Sequence, residues 1–272
     1  MVATPIGNLR DITLRALDVL AGADRLYAED TRVTRKLLDA YGIKPRFLGA
    51  YHEHNAEAAR GEILAALEAG EAVALVSDAG TPLISDPGFK LARAVAEAGH
   101  RVIPIPGASS LLAGLVAAGL PTDRFLFAGF APSKPQARRA FLTELAPMQA
   151  TLILFETGPR LAESLADMAE ILGPRSAAVA RELTKMFEEV RREELSALAA
   201  HYSEAGPPKG EIVVLIGPPR EAAPDPEALD AFLKQALESV GVKDAAQQAA
   251  DRFGVARRDA YQRALALRDE SP

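Results

Sequence analysis

Short apolar runs separated by longer stretches of helical spacing fill the first half of the chain, and this alternation narrows the possible folds more than any other feature. Ala72 to Val76 (AVALV) is the clearest run, and Met1 to Ala3, Arg25 to Ala28, Arg46 to Tyr51 and Val102 to Ile105 read the same way. Between them, Leu14 to Ala21, Arg32 to Ala40, Ala56 to Glu68, Lys90 to Ala98 and Ser110 to Ala118 carry helical periodicity. Gly22, Gly42, Gly70, Gly99 and Gly119 each follow one of these helices, where a left-handed C-terminal cap favours glycine. The pattern predicts an α/β fold with a mainly parallel sheet and helices on its faces.

A second α/β unit begins after the break at Pro121, Thr122 and Asp123. Thr151 to Phe155, Ala177 to Ala180 and Glu211 to Ile216 read as its strands, and Glu188 to Glu193 fits either a strand or a loop. Pro135 to Leu145, Arg160 to Leu172 and Leu195 to Glu204 read as its helices. Four prolines between Gly217 and Pro226 mark a linker. Beyond it the chain is alanine-rich and helical. Asp244 to Arg263 reads as two short helices joined near Phe253, Gly254 and Val255, which suits a helix-turn-helix or a plain helical tail. The expected domains are residues 1–120, 121–218 and 227–272.

With 272 residues the chain exceeds one average domain of roughly 100–200 residues. It has no cysteine, which removes disulfides, thiolate catalysis and cysteine-bound zinc. No run approaches the ~20 apolar residues of a membrane helix, and no secretory pattern opens the chain. A cytoplasmic protein is expected. The formal charge of −6 means that a nucleic-acid ligand would have to meet a local basic patch. Arg10, Arg32, Arg35, Lys36 and Lys185, with Lys134, Arg138 and Arg139 at the start of a helix, are the candidates for such a rim.

The chemistry concentrates in the loops that follow strands, where open α/β sheets bind their ligands. Val76 to Gly88 (VSDAGTPLISDPG) follows the clearest strand, and its Gly and Pro residues let a ligand approach the main chain. Asp78 and Asp86 suit a cationic ligand group, although two such residues can also serve only local amides. Thr4 to Thr13 has neither dinucleotide spacing nor a P-loop lysine. Pro106 to Ser110 offers small side chains and a helix N-terminus. In Glu29 to Arg32, Asp30 or Thr31 is expected to cap the next helix. His52 and His54 lack a third ligand nearby, so a solvated loop is expected there and no metal site.

Together these segments resemble one family. ATPIGNLRDIT, AEDTR, LVSDAGTPLISDPG, IPGASS, GFAPSK, RELTK and KGEIVVLI look like the successive signatures of the ribosomal RNA small subunit methyltransferase I family, within the tetrapyrrole methylase superfamily. The resemblance runs from Met1 to about Gly217, and the tail resembles that family's small helix-turn-helix domain. It implies two α/β domains with S-adenosylmethionine (S-adenosyl-L-methionine) in the cleft between them. It also implies methylation of the ribose 2′-oxygen of a cytidine in the decoding region of 16S rRNA. By position, Pro5, Asp78, Ala79 and Gly80 are implied to contact the cofactor, with Ile84, Ser109 and Ser110 along it. Phe155, Glu156, Glu182, Leu183 and Gly210 are implied to close from the second domain. A homodimer is implied too, with 16S rRNA or the small ribosomal subunit as partner and Arg10, Arg32, Lys134, Arg138 and Arg139 as RNA contacts. The family carries several more apolar residues ahead of VATP, so a shortened first strand and a truncated start are expected.

A ribose hydroxyl is a poor nucleophile until its proton leaves, so a general base is useful. Glu182 and Lys185 are the candidates, because they end a strand facing the expected cleft; a lysine in that role needs a depressed pKa. Two other functions compete. A small-molecule methylase acting on a tetrapyrrole has no use for the helical tail, and a ligand-sensing DNA-binding regulator would rest on Asp244 to Arg263.

Overall fold

The computed structural model describes residues 1–84, 89–219 and 226–269. Two units separate in it: Met1–Pro219, and Arg220–Pro272.

The first unit contains two sheets. In the N-terminal sheet, β1 (Arg25–Ala28) lies between β2 (Leu48–Ala50) and β3 (Val73–Val76), all parallel. Val2 bridges both Val76 and Ile105, which extends the sheet by single residues instead of strands. The expected strands at Met1 to Ala3 and Val102 to Ile105 are thus reduced to one bridging residue each. Alternate residues face opposite sides, as the period of a strand requires. Leu26, Ala28, Ala74 and Val76 meet α1 (Leu14–Gly22) and α2 (Thr31–Ala40) on one face. Tyr27 and Leu75 meet α3 (Ala56–Glu68) and α4 (Phe89–Glu97) on the other. Gly22 stays within α1, and Ala23 leaves it in an extended conformation, so the expected left-handed cap is not formed there. At Gly119 it is, with φ +69° closing α5 (Ser110–Ala118).

The second sheet is mixed and runs in the order β4 (Phe125–Phe130), β5 (Thr151–Thr157), β8 (Glu211–Ile216), β6 (Ser176–Arg181), β7 (Glu189–Glu194). β8 is antiparallel to both of its neighbours, and β7 resolves the ambiguous segment as an antiparallel edge. Leu152, Leu154, Val179, Val214 and Ile216 face α6 (Pro135–Leu145), α7 (Gly158–Leu172) and α8 (Leu195–Ala205). Leu154 and Val214 have no exposed surface, and burial of such side chains contributes about 1.5–3 kcal/mol each. Ile153, Ala178, Val213 and Leu215 face the other way, onto Leu111 and Leu115 of α5 and onto Ile6. That shared core fixes the N-terminal loops against the second sheet.

Arg138, expected to reach RNA, is instead buried, with 3% of its side chain exposed. Its Nε lies 2.6 Å from Asp167, so it ties α6 to α7. Arg139 reaches Asp167 at 2.8 Å and also pairs with Glu170. The periodicity of α6 explains this: Arg138, Leu142 and Leu145 share its buried face.

In the second unit, α9 (Pro226–Leu237), α10 (Val242–Phe253) and α11 (Arg257–Asp269) pack around Leu233, Ala245, Ala249, Ala260 and Ala264. Gly254, at φ +67°, makes the turn between α10 and α11. Small alanine side chains let these short helices approach closely.

Candidate active site

A cleft of about 400 Å³ opens where the carboxyl ends of β1 and β3 face the second sheet. Its size falls within the ~300–1,000 Å³ of small-molecule sites. Asp78, Ala79, Gly80 and Ile84 line one wall, and Ser109 and Ser110 stand at the N-terminus of α5. Phe155, Glu156, Leu183 and Gly210 line the opposite wall. The cleft therefore brings these ten residues together. Pro5 does not line it; its neighbour Ile6 does. Asp86 falls outside the described residues.

The wall after β3 is held by main-chain bonds. Thr4 and Gly80 exchange N–H···O=C bonds of 2.9 and 3.0 Å, so the VATP segment and the SDAG turn are one ladder step. The Asp30 amide donates to Asp78 Oδ1 at 2.8 Å. Asp30 itself caps α2 by accepting from the Arg32 amide, and it pairs with the Arg32 guanidinium at 2.6 Å. These bonds to Arg32 hold the Asp30 carboxyl down to about 2. Asp30 is thus the cap, as expected, and Arg32 spends its charge on it. Leu83, farther along the same loop, has φ +76°, a left-handed conformation that costs a branched residue energy and clusters at functional sites.

The opposite wall is held by carboxylates. Glu156 is buried, accepting from Ser164 Oγ at 2.6 Å and from the Thr157 amide at 2.8 Å. The turn after β6 is backbone-strained, with Glu182 at φ +50° and Thr184 at φ +66°. Lys185 Nζ donates to Glu182 Oε1 at 2.8 Å and to Glu211 Oε2 at 2.9 Å. The Glu211 amide also donates to Glu182 at 3.0 Å. Hydrogen bonding from Lys185 and then from this amide holds the Glu182 carboxyl below its usual range. Desolvation pulls the Lys185 ammonium down, but its bonds to Glu182 and Glu211 outweigh that and raise it. A neutral lysine is therefore not what this turn holds. Neither Glu182 nor Lys185 lines the cleft; Leu183 between them and Glu211 opposite them do.

Two glycines make room for this pair. A Cβ on Gly210, at φ +99°, would fall 2.4 Å from the Glu182 side chain. A Cβ on Gly7 would fall 2.4 Å from the aliphatic stem of Lys185, so that lysine lies across the N-terminal loop.

Several lining residues escaped the sequence: Ile6, Glu29, Thr81, Phe130, Glu211 and Val213. Phe130 ends β4, a strand not read from the sequence, and its ring packs edge-on against Phe155 at 5.6 Å. Of the expected RNA contacts, Arg10, Arg32 and Lys134 are exposed, Arg32 while paired with Asp30. His52 and His54 stand 5.9 Å apart, ring edge to face.

The donor set suits a ligand with both charges. Asp78, Glu156 and Glu211 offer carboxylates, while the unbonded first amides of α5 favour an anion. Ile84, Leu111, Phe155 and Leu183 supply apolar surface between them. S-adenosylmethionine, with a carboxylate, an ammonium, a sulfonium and a flat base, has this distribution.

The family model for tetrapyrrole (corrin/porphyrin) methylases matches residues 1–199, and the model for the RsmI C-terminal HTH domain matches 222–268. The chain is 53% identical to a ribosomal RNA small subunit methyltransferase I of Mesorhizobium japonicum, over 100% of this chain and 92% of that protein. It is 46% identical to the protein of that name from Pseudomonas aeruginosa, over 100% of this chain and 98% of that one. Among solved structures, the cobalamin biosynthetic enzyme cobalt precorrin-4 methyltransferase matches with TM-score 0.59 at 19% identity, covering 79% of this chain and 92% of that chain. Diphthine synthase matches with TM-score 0.59 at 15% identity, covering 79% of this chain and 88% of that chain.

Proposed function

The chain belongs to the tetrapyrrole methylase family, among the ribosomal RNA small subunit methyltransferases I, and from that membership we propose that it methylates a cytidine ribose 2′-oxygen in 16S rRNA, using S-adenosylmethionine. The observation that carries the reading is the joining of the SDAG turn, the N-terminus of α5 and the RELTK turn around one cleft. In this reading residues 1–120 and 121–218 act as two domains sharing that cleft, and residues 227–272 form a third.

The bound cofactor supplies an electrophilic methyl carbon on a positive sulfur. Asp78 and Glu156 offset positive charge in the cleft, and the α5 amides hold a carboxylate there. Phe155, Leu183 and Ile84 exclude water, which strengthens those interactions. Most of the acceleration comes from positioning, with reacting atoms brought to about 3–3.5 Å. Glu182 and Lys185 act as positioning residues: Lys185, paired with both Glu182 and Glu211, fixes Leu183 and Gly210 in the wall. Glu211 lines the cleft, and its bond to Lys185 Nζ fixes where that carboxylate faces a bound hydroxyl.

Arg10 and Lys134 present cations to the RNA backbone. Leu112 and Val116, which α5 leaves exposed, offer apolar surface for the homodimer implied by the family resemblance. A substrate in the small ribosomal subunit makes this a cytoplasmic enzyme.

The test is transfer of labelled methyl from S-adenosylmethionine to small subunits lacking the modification, followed by mapping of the modified nucleotide. Label on a cytidine 2′-oxygen of 16S rRNA is expected. Label on a tetrapyrrole precursor and none on the subunit would overturn the proposal.

A further inference from the structure

Residues 32–46 concentrate positive charge in an acidic protein. They hold Arg32, Arg35, Lys36, Lys44 and Arg46 against Asp39 alone, in a chain of net charge −6. Arg32 and Arg46 are engaged, with Asp30 and with Asp24. Arg35, Lys36 and Lys44 are exposed and, among the described residues, have no carboxylate partner. Asp39, one turn along α2 from Arg35 and Lys36, offsets only part of this charge, and the segment stays net positive.

The shape of the region adds to its charge. Arg35, Asp39, Lys44, Arg46 and Phe47 surround a hollow of about 330 Å³. It lies ahead of β2 and beside the end of α2, whereas the cleft lies beyond the ends of β1 and β3. Since α2 starts at the cleft with Asp30 bonded to Asp78, its 10 residues span about 15 Å from the cleft to the hollow. At a duplex-like rise of about 3.4 Å per phosphate, a strand laid along α2 sets about four charges over that length.

We propose that the outer face of α2 and the hollow at its end form a phosphate track that grips the RNA backbone away from the modified nucleotide. Arg35 and Lys36 hold the strand near the middle of the helix, and Lys44 holds it at the hollow. The track deepens the rRNA reading above and rests on it.

The experiment compares the wild type with Arg35→Gln/Lys44→Gln, both exposed positions, and with Arg101→Gln/Arg124→Gln as a charge-matched control elsewhere. Binding of a short labelled single-stranded RNA is followed by anisotropy from about 50 to about 200 mM salt, and methyl transfer to small subunits is measured alongside. At ~0.7 per single-strand contact, the slope of log affinity against log salt should fall by about 1.4 in the track variant. KM for subunits should rise about tenfold with kcat unchanged, while the control keeps both. An unchanged slope in the track variant, or the same change in the control, overturns the track. A wild type that labels no subunits while the slope difference persists overturns the rRNA reading and leaves a polyanion track standing.

Discussion

The amide of Asp30 donates to the carboxylate of Asp78 at 2.8 Å, joining the loop after β1 to the loop after β3. A carboxylate held by a backbone amide keeps its orientation without a second side chain, so Asp78 is preset in the cleft. Asp78→Asn retains an acceptor for the Asp30 amide and removes the charge. Asp78→Ala removes both. Calorimetric titration is expected to show S-adenosylmethionine affinity falling at least about tenfold in both, which is ~1.4 kcal/mol. Only the alanine variant should lower the thermal midpoint. Full affinity in the asparagine variant would show that its charge is not used.

Gly210→Ala inserts a methyl group where the Glu182 side chain already lies, at a φ of +99° that suits glycine. The variant should lose about 1–3 kcal/mol of stability from backbone strain. It should also lose most methyl transfer, because Glu182 must swing away from Lys185. Wild-type turnover would mean that the ion pair is dispensable.

The Lys185 ammonium is raised above 10.5 and the Glu182 carboxyl is lowered below 4.5. For a raised lysine the stabilisation is complete below its unfolded value and is lost as pH climbs through the folded one. For a lowered carboxyl it is complete above the unfolded value and is lost as pH drops through the folded one. The gap in thermal midpoint between wild type and Lys185→Met is therefore expected to be flat from about pH 5 to about pH 10, and to close on either side. A gap that changes between about pH 7 and 9 would show that Lys185 releases its proton in the working range.

Arg138→Met should destabilise the fold by about 3 kcal/mol, toward the low end for a broken buried pair, since Arg139 also holds Asp167. KM for ribosomal subunits should not change in the folded fraction. Lys134→Gln should do the reverse, with an unchanged thermal midpoint and a KM raised a few-fold. Equal KM effects from both would return Arg138 to the RNA surface.

The helices were legible because runs rich in helix-forming residues stop at glycine or proline: α3, α5 and α6 run between the residues expected from the sequence alone. Strands whose pairing partners lie far along the chain were less so. Val102 to Ile105 has strand composition, yet only Ile105 forms a bridge, with Val2, while Ile103 accepts a single bond from the Met1 ammonium. β4 was missed because Gly129 interrupts FLFAGF, and the register does shift between Phe127 and Gly129. The cleft loops were readable as sequence runs, while lining residues such as Ile6 and Phe130 depend on which elements meet in space. Arg138 shows the remaining limit: composition marks a cation, but only packing decides whether it meets solvent or Asp167.

β8 is made last in the first unit and sits in the middle of its sheet, between β5 and β6. While the chain emerges during translation, Thr151–Thr157 and Ser176–Arg181 must wait with open edges until Glu211–Ile216 arrives to pair with both. Gly210, which completes the cleft wall, adjoins that final strand. A nascent protein therefore acquires its sheet and its ligand site in the same event, and an early stop codon before residue 211 abolishes both together.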